Sequence, residues 1–513
     1  MKLIITSSTP AELTVTEATE SDLSTLRSLL TFRDRQVEFL VSKHKRNRRW
    51  RDSATETWKS KLDDLTGQIT RCLLLSDDSG RWYTYVGLAS YIQQAMPGTV
   101  VENQVQYPVP APVAWEHVPK YSPRYYQSEA KAALWVTRHG AISMPTGSGK
   151  SYIISELCRD LGVRAVIMAP TTSIARQLYC DFLSLFGKKN VGLYGDGKKE
   201  IGKRFTIGIA ASLTRVEIGS EAWNFFSNSD LVICDESHLL PATTFEHVCM
   251  GLLRTAPYRF FVSATQMRTD GAELLLRGIV GDIVYRKEFQ ELVDEEFLAK
   301  PHFVMARIPS THPYHGDDAL KMSQHHLLYN KRIIEHAGRL INGMAKQGKR
   351  VLVLIDEIAQ FAALLPQLRV QVGFAHGGCT AVNRDSVPGE YRKSDPQALV
   401  RAFDAGELPV LVGTSCIGIG TDIRSPEVVV FLQGGMSEIQ VTQALGRGTR
   451  RGYVYPDGHT KSDFLFVDYA PVVQNGHYQD GVGKMSSVYR HALARSKIYE
   501  QIYPNSLKWV QYD

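Results

Sequence analysis

The sequence is poor in cysteine, and its cysteines are scattered. None of the seven is separated from another by two residues, the spacing of zinc-binding and redox pairs, in a chain of 513 residues. This pattern argues against structural zinc and against a disulfide framework, and it is typical of a reducing compartment. His302, His325 and His326 lack further ligands at metal spacing, so we expect no zinc site there.

The sequence also lacks long apolar runs and a strong excess of one charge. No stretch approaches the roughly 18 apolar residues that a membrane helix needs, and the apolar start at residues 3–5 is too short for a secretory signal. The 59 basic and 53 acidic residues leave a net charge of +6, a mild bias towards nucleic acid. We therefore expect a cytoplasmic protein (host cytoplasm if phage-encoded) with no membrane partner, and we favour a monomer.

The chain is long enough to form several domains, and its composition changes along its length. An apolar content of 43% with 22% charged residues is typical of globular proteins. Prolines before residue 124 indicate a linker, and beyond it short apolar runs alternate with helical patterns, as in parallel α/β units. The predicted fold is α/β, with two doubly wound parallel-sheet lobes and a small α+β N-terminal domain. The predicted domains are an accessory nucleic-acid-binding domain at 1–97, a Pro-rich linker at 98–120, an ATP-binding lobe at 121–300, a second lobe at 301–480 and a helical tail at 481–513 that packs on the second lobe.

The apolar runs predict particular strands. In the N-terminal module, a helix is expected at 23–32 and strand-like segments at 73–88. The first lobe is expected to have strands at 140–143, 165–169, 205–210, 231–234 and 260–263. The second lobe is expected to have strands at 351–355, 372–375, 410–413, 428–432 and 464–467.

Residues 144–151, Met-Pro-Thr-Gly-Ser-Gly-Lys-Ser, lie between a predicted strand and a predicted helix. Glycines at such a turn let backbone N–H groups approach phosphate oxygens, and Lys150 would place its charge on the β and γ phosphates. Ser151 would ligate Mg²⁺, which prefers a few protein oxygens. The general pattern has glycine where this chain has Met144. The residues predicted to hold the triphosphate are Thr146, Gly147, Ser148, Gly149, Lys150 and Ser151.

Two acidic residues follow the apolar run at 231–234. Asp235 and Glu236 would therefore lie at the carboxyl end of a parallel strand, the edge at which ligands bind. Asp235 would hold Mg²⁺, and Glu236 would orient and deprotonate the water that attacks the γ phosphate. An acidic turn is the alternative, but the presence of Lys150 upstream favours a nucleotide site. We include His238, which ends the Asp-Glu-Ser-His sequence, among the catalytic candidates.

The second lobe contains a glycine-flanked arginine pair. Arg447 and Arg450 are three residues apart, so on a helix they would share a face. Guanidinium groups suit phosphate oxygens, and arginine fingers accelerate phosphoryl transfer by roughly 10³–10⁵. A solvated basic helix end is the alternative interpretation.

The order of these motifs resembles that of the superfamily 2 helicases and translocases over residues 121–470. The resemblance implies two RecA-like lobes that use ATP and Mg²⁺. It implies adenine recognition by Tyr126 and Gln127, and a second-lobe nucleotide contact by Gly420 and Asp422. These two residues belong to the stretch 418–422, which stands at the place of the family's second-lobe strand-binding and coupling motifs. The other residues that it implies are Pro170, Thr171, Gln177 and Ser212 for nucleic-acid contacts in the first lobe; Ser263, Ala264 and Thr265 for coupling; His376, Gly377 and Thr414 for nucleic-acid contacts in the second lobe; and Gln443, Arg447 and Arg450 for hydrolysis.

Within this superfamily the overall likeness is to the phage UvsW-type helicases, which migrate Holliday junctions and regress stalled forks. Residues 289–301 resemble the lobe junction of duplex-DNA translocases. The resemblance implies an ATP-dependent DNA helicase that remodels branched or duplex DNA, without reading its sequence, in recombination, replication or repair. An RNA helicase, the motor subunit of a restriction or repair nuclease, and an inactive scaffold are the alternatives.

The most basic segment lies outside the predicted motor. Residues 43–51 contain six Lys or Arg in nine positions, together with one tryptophan. Such a segment can hold the phosphates of a duplex arm, and its aromatic ring can stack on an exposed base. A solvated charge run is the alternative. The candidate nucleic-acid contacts are Arg46, Arg48, Arg49 and Trp50.

Overall fold

The computed structural model describes residues 1–46, 56–119, 122–239, 242–263, 273–310, 321, 323–378, 387–418, 423–473 and 487–512. The chain forms two units, Met1–Met144 with Gly149–Arg286, and Pro145–Ser148 with Lys287–Asp513. Several predicted functional residues lie outside the described part of the chain, as do the side chains of Arg46 and His238. These residues are Arg48, Arg49, Trp50, Ala264, Thr265, Gly420 and Asp422.

The first unit begins with an α+β module. Its strands are β1 (Lys2–Ile5), β2 (Glu12–Thr16), β3 (Thr31–Arg33), β4 (Thr70–Cys72), β5 (Leu75–Ser76), β6 (Trp82–Tyr85) and β7 (Val100–Asn103). Its helices are α1 (Glu20–Leu29), α2 (Arg35–Arg46), α3 (Glu56–Gly67) and α4 (Ala89–Ala95). The sheet order is β5-β6-β2-β1-β7, with β1 and β7 parallel, and β3 pairs with β4.

A capping box moves the first helix away from its predicted position at 23–32. The Thr19 hydroxyl accepts a hydrogen bond from the Asp22 backbone N–H (3.1 Å), and the Asp22 carboxylate accepts one from the Thr19 N–H (2.8 Å). These bonds start the helix at Glu20, and it ends at Leu29. The predicted helical extension to residue 32 is wrong, because the chain turns there to pair as β3 with β4.

The segment expected to be a linker is partly built into the first unit. Residues 100–103 form β7, which lies beside β1 in the sheet. Further along, the Ala111 N–H donates to the Leu161 carbonyl (2.9 Å), and the Glu116 N–H donates to the Leu185 carbonyl (2.7 Å). Prolines remove backbone donors, but the residues between them still supply N–H groups that fasten this segment.

The rest of the first unit is a doubly wound lobe. Its strands are β8 (His139–Ser143), β9 (Ala165–Ala169), β10 (Val191–Gly195), β11 (Lys198–Lys199), β12 (Phe205–Ile209), β13 (Leu231–Asp235), β14 (Tyr258–Ser263) and β15 (Ile283–Arg286). Its helices are α5 (Tyr125–Thr137), α6 (Lys150–Leu161), α7 (Thr172–Asn190), α8 (Ala210–Leu213), α9 (Glu221–Ser227), α10 (Ala242–Glu246) and α11 (Glu273–Val280). The order is β11-β10-β12-β9-β13-β14-β8-β15, and only the edge pairing of β11 with β10 is antiparallel among the described strands.

The predicted strands of this lobe are confirmed with small shifts at their ends. The run at 165–169 forms β9 with those bounds. The run predicted at 205–210 ends one residue early, because Ala210 begins α8. The sequence analysis missed β10 and β15, which are short and carry no long apolar run.

The N-terminal module packs directly on this lobe within the first unit. Two oxygens of Glu246 accept from the Arg71 guanidinium at 2.8 and 2.9 Å, and the Tyr85 hydroxyl also donates to Glu246. A Cβ atom on Gly87 would lie 2.3 Å from the Arg277 carbonyl oxygen, so only glycine fits between these backbones. Buried residues of both parts, such as Leu88 and Ile279, belong to one hydrophobic cluster.

The second unit contains another doubly wound sheet. Its strands are β16 (Lys300–Ser310), β17 (Val351–Ile355), β18 (Val372–Ala375), β19 (Val410–Gly413), β20 (Val428–Leu432), β21 (Asp463–Val473) and β22 (Leu507–Gln511). Its helices are α12 (Phe289–Asp294), α13 (Lys331–Lys346), α14 (Ile358–Leu364), α15 (Pro396–Ala405), α16 (Ser415–Gly418), α17 (Glu438–Gly446) and α18 (Ser487–Ile502). The described strands are all parallel, in the order β18-β19-β17-β20-β21-β16-β22.

Four of the five strands predicted here, β17 to β20, have their predicted bounds, and β21 is longer at both ends. The predicted C-terminal helix is confirmed as α18, which contacts β21. The tail is not helical throughout, because residues 507–511 form β22 beside β16. Within the described ranges, no helix combines the length and apolarity needed to cross a bilayer.

Candidate active site

The first-lobe sheet brings most of the predicted site residues to one edge. Five neighbouring strands, β12, β9, β13, β14 and β8, are parallel, so their carboxyl ends share that edge. The segments that end or follow these strands carry, in that order, Ser212, Thr171, Asp235, Ser263 and the loop at 144–149. The predicted nucleotide-site residues therefore lie in the half of the edge at β13, β14 and β8, and the predicted nucleic-acid contacts in the half at β12 and β9.

The loop before α6 has the backbone of a phosphate cradle. Gly147 and Gly149 adopt φ values of +93° and +87°, a region that favours glycine. A Cβ atom on Gly149 would also lie 2.2 Å from Nε2 of Gln127. The turn thus requires glycine at 149, and it delivers Lys150 to the first position of α6.

The structure explains why this loop tolerates Met144. The residue is buried, and it is absent from the positive-φ positions of the backbone. Its N–H donates to the Ser263 carbonyl (2.9 Å), and its own carbonyl accepts from the Lys150 ammonium (3.3 Å). Both contacts use backbone atoms, so glycine is not needed at this position.

Lys150 and the acidic pair after β13 lie together. The Lys150 Nζ is 3.2 Å from the Glu236 Oε1, and the two side chains are 7% and 18% exposed. The Asp235 carboxylate accepts a hydrogen bond from the Glu236 N–H at 3.0 Å. Burial, followed by the negative charge of Glu236, raises the pKa of Asp235, and the charge of Lys150 partly opposes this. A bound divalent cation would favour the ionised form of Asp235 in such a site.

Glu236 is held in an unusual backbone conformation. Its φ is +47°, in the left-handed region that non-glycine residues rarely adopt. Such conformations are costly and concentrate at functional sites. The turn directs the chain from β13 into the short helical turn at 237–239 and keeps the Glu236 carboxylate beside Lys150.

The start of α5 carries the predicted adenine-reading residues. Tyr126 and Gln127 are buried, and the Gln127 Oε1 accepts from the Arg124 backbone N–H (2.9 Å). Arg124 also donates through Nη1 to the Tyr126 hydroxyl at 2.7 Å. The sequence analysis did not name Arg124, which holds both of these side chains and whose place directly before the Tyr-Tyr-Gln sequence was the available signal.

The other half of the edge holds the predicted first-lobe nucleic-acid contacts. Thr171 caps α7, with its hydroxyl accepting from the Ile174 N–H at 3.4 Å. Pro170, Gln177 and Ser212 are half-buried, so each keeps some surface accessible. Because β9 and β12 are neighbours, Thr171 and Ser212 follow adjacent strand ends.

The predicted second-lobe contacts divide into exposed and buried residues. The His376 side chain is 2% exposed, and its ring nitrogens contact the Tyr391 carbonyl (2.9 Å) and the Gly378 N–H (3.1 Å). A direct nucleic-acid contact by this side chain does not fit its burial, and its observed role is to hold the loop after β18. Gly377 is exposed, and the buried Thr414 donates its backbone N–H to the Ala375 carbonyl (3.1 Å).

The predicted helical pairing of Arg447 and Arg450 is wrong. The helix α17 ends at Gly446, so Gln443 is helical whereas Arg447 caps the end. Arg450 lies beyond the helix and forms an isolated β-bridge with Leu298. The glycines at 446 and 448 stop the helix, and a Cβ atom on Gly448 would lie 2.1 Å from the Phe464 ring. The Arg447 side chain is buried and that of Arg450 is half-buried.

These features define a class of protein. Each unit contains a parallel doubly wound sheet of the RecA-like type, and a glycine-rich loop and a strand-end Asp-Glu pair meet in the first lobe. This combination is that of phosphate-loop motor ATPases.

Comparisons with known families narrow the class. The family described as "Type III restriction enzyme, res subunit" matches residues 120–268, and the "Helicase conserved C-terminal domain" matches residues 332–452. The chain belongs to the superfamily 2 helicases.

Two curated proteins and two solved structures illustrate the similarity. The chain is 25% identical over 377 residues to the "DNA 3'-5' translocase XPB2" of Sulfurisphaera tokodaii, covering 68% of this chain and 83% of that protein. It is 24% identical over 335 residues to the "DNA 3'-5' helicase XPB" of Mycobacterium tuberculosis, covering 63% of this chain but only 57% of that protein.

Among solved structures, a fragment of an HsdR subunit of a type I restriction enzyme from Vibrio vulnificus aligns with a TM-score of 0.53 and 18% identity, over 77% of this chain and 70% of that one. The structure of T4 UvsW aligns over 100% of both chains with a TM-score of 0.42 and 15% identity. The alignment with the HsdR fragment supports the assignment of the fold.

Proposed function

We propose that this protein is an ATP-driven DNA helicase or translocase that remodels branched duplex DNA. The observation that carries the ATPase part is the contact of Lys150 with Glu236, 3.2 Å apart beside a loop that requires glycine at 149. The DNA part is supported by the curated relatives, which are described as a DNA translocase and a DNA helicase. The branched-DNA part rests on the sequence resemblance to UvsW-type helicases and on the basic segment at 43–51.

The residues present fit a magnesium–nucleotide complex. The loop has the glycine turns that such a cradle needs, and Ser151 and Asp235 offer the hard oxygen ligands that Mg²⁺ prefers. When bound, Mg²⁺ would neutralise charge on the phosphates. Lys150 would exchange its contact with Glu236 for phosphate oxygens. Glu236 would then be available to accept a proton from the attacking water.

The remaining roles follow from the resemblance. Gln127 and Tyr126 are proposed to meet the base, and Arg447 and Arg450 the γ phosphate, with Gln443 supporting them. Pro170, Thr171, Gln177 and Ser212 are proposed to grip phosphates of one DNA strand through the first lobe. In the second lobe the exposed Gly377 is proposed to contact the strand, and the buried His376 and Thr414 to support it. Contacts to phosphates carry no base information, so binding should be independent of sequence and sensitive to salt.

The test is steady-state ATP hydrolysis by the purified protein with a four-way DNA junction, linear duplex, single-stranded DNA or single-stranded RNA. We expect the strongest stimulation with the junction or the duplex. Stimulation mainly by RNA would overturn the DNA assignment but would leave the ATP site in place. Absence of hydrolysis under every condition would overturn the motor assignment itself.

A second candidate is the motor subunit of a restriction or repair nuclease. The match of residues 120–268 to a restriction-enzyme res subunit family favours it. Among the described residues there is no group of three or more His, Cys, Asp or Glu side chains placed to hold a metal ion, so cleavage would depend on a partner. Co-purification of a partner that nicks plasmid DNA with Mg²⁺ and ATP, with no nicking by the protein alone, would favour this candidate over a pure helicase. Nicking by the protein alone would overturn the need for a partner.

A further inference from the structure

A hairpin follows the arginine pair of the second lobe and returns to the same place. At its base the Gly452 N–H donates to the Lys461 carbonyl (2.9 Å), and the Lys461 N–H donates to the Tyr453 carbonyl (2.8 Å). An isolated bridge joins Val454 to Thr460, and the Tyr455 N–H donates to the His459 carbonyl (2.9 Å). We call residues 452–461 the return hairpin. Its first residue lies two positions after Arg450.

Two side chains of the return hairpin hold one short stretch of backbone, and a third holds the end of a helix. The Tyr455 hydroxyl donates to the Ser425 carbonyl (2.7 Å), and the Lys461 ammonium donates to the Arg424 carbonyl (3.3 Å). The Tyr453 hydroxyl donates to the carbonyl of Asp404, the penultimate residue of α15. The contacts of Tyr455 and Lys461 are directed at residues 424–425, which begin two positions after Asp422 of the predicted coupling motif.

The same stretch is held from its other side by Asp404. The Asp404 Oδ1 accepts from the backbone N–H groups of Arg424 (3.1 Å) and Ser425 (3.0 Å). Residues 424 and 425 therefore have both their N–H groups and both their carbonyls bonded to Asp404 or to the return hairpin. A shift of this stretch would therefore either break its bonds to Tyr455 and Lys461 or move the hairpin with it.

Lys461 connects this arrangement electrostatically to Arg450. Its side chain is 2% exposed, and the charges that act on it are Glu427, Asp404 and Asp463, which favour its charged form, and Arg450, which disfavours it. Lys461 also lies over the Phe464 ring, 5.8 Å from its centroid, and this ring packs against Gly448. The ammonium group thus lies over the ring that packs against Gly448, two residues before Arg450, and within electrostatic range of Arg450 itself.

We propose that Tyr453, Tyr455 and Lys461 are positioning residues that tie the placement of Arg450 to the segment at 424–425, and through it to nucleic-acid binding. The inference rests on the proposed DNA-stimulated ATPase activity. Movement of the segment after the predicted coupling motif would be transmitted by the return hairpin to Arg450. The arginine would reach its productive position fully only when nucleic acid is bound.

The experiment compares the full-length wild type with Tyr455→Phe and Lys461→Met, and with Tyr503→Phe as a matched control. Tyr503 also donates its hydroxyl to one acceptor, Asp294, at 3.2 Å, but this contact is exposed and lies outside the return hairpin. ATP hydrolysis is measured with and without saturating duplex DNA, and kcat and KM for ATP are separated. Loss of one hydrogen bond to the segment should lower the DNA-stimulated kcat about tenfold, which corresponds to about 1.4 kcal/mol. The KM for ATP should change less than about twofold, because ground-state binding is untouched.

The controls separate the possible failures. If wild-type hydrolysis is not stimulated by any nucleic acid, the proposed function fails, and the inference fails with it. If wild-type hydrolysis is stimulated and both hairpin variants keep the full stimulation, the inference alone is overturned. Thermal unfolding of each variant, and of the conservative Lys461→Arg, tests whether a loss of stimulation is caused by misfolding. Retained stability with lost stimulation supports positioning, and loss of stimulation only in unstable variants overturns it.

Discussion

The contact between Lys150 and Glu236 leads to an unusual prediction for Glu236→Gln. The two charged atoms are 3.2 Å apart, and both side chains are largely buried. Bound phosphate has to compete with Glu236 for the Lys150 ammonium. A hydrogen-bonded charge contact of this kind contributes about 1–2 kcal/mol. Removing the carboxylate charge should therefore tighten ATP binding by roughly 5–30-fold.

The same substitution should have the opposite effect on turnover. Glutamine cannot accept a proton from the attacking water, and loss of a general base typically lowers the rate by about 10²–10⁴. The variant should bind ATP more tightly and hydrolyse it far more slowly. Titration calorimetry measures the affinity, and phosphate release at saturating ATP and DNA measures the turnover.

A matched control removes another acidic charge of the same lobe. Asp282→Asn breaks the exposed contact with Arg277 (3.2 Å) and should change neither quantity. Unchanged or weaker ATP binding by Glu236→Gln would refute the competition argument. Turnover within about tenfold of the wild type would refute the general-base assignment.

Three further outcomes are expected. Asp468→Asn should leave the buried Arg495 without a charge partner, since the two groups are bonded at 2.7 and 2.9 Å. The free energy of unfolding should fall by about 3–5 kcal/mol, which lowers the unfolding temperature of the second unit by roughly 6–20 °C. Lys331→Ala, which breaks the exposed pair of Lys331 with Glu335, should have almost no effect. Burial lowers the pKa of Lys461 to about 7 from an ordinary value of 10.5, so between these pH values the unfolded chain binds a proton that the folded chain does not. The free energy of unfolding should therefore rise with pH across this window, by at most about 1.4 kcal/mol per pH unit. In unfolding temperatures measured at pH 7, 8 and 9, Lys461→Met should flatten this rise. Replacing Arg46, Arg48 and Arg49 by alanine should weaken junction binding and reduce the slope of log affinity against log salt by up to about 2.7, and an unchanged slope would assign the segment to a solvated charge run.

The sequence predicted the parts of the fold in which local pattern and final burial agree. The strands β9 and β17 are short, fully buried apolar runs, and both were predicted with their observed bounds. The long strand β16 was missed because Pro301 and Pro309 lie within it, and proline usually excludes a strand from the interior of a sheet. Pairing with β21 on one side and β22 on the other fixes its extended form, and no local signal reveals such distant partners.

The candidate site was predictable where chemistry depends on neighbours in the chain. Lys150, Asp235 and Glu236 were identified from a loop and a strand end, and the sheet topology brings them together. Burial of the His376 ring was not predictable, because it depends on the carbonyl of Tyr391, which is distant in the chain. The end of α17 before Arg450 depends on glycine packing against Phe464, which is again a tertiary effect.

The closeness of Gly87 to the backbone of α11 has a practical consequence for any shortened form of this protein. Leu88 and Ile92 share a hydrophobic cluster with Leu275 and Ile279 of the first lobe. A fragment starting near residue 121 would expose this leucine-rich face to water and would leave Glu246 without Arg71. We expect such a fragment to aggregate, and limited proteolysis to spare the chain around residues 100–116. We therefore expect the N-terminal module to stabilise the first lobe, in addition to any contact that it makes with DNA.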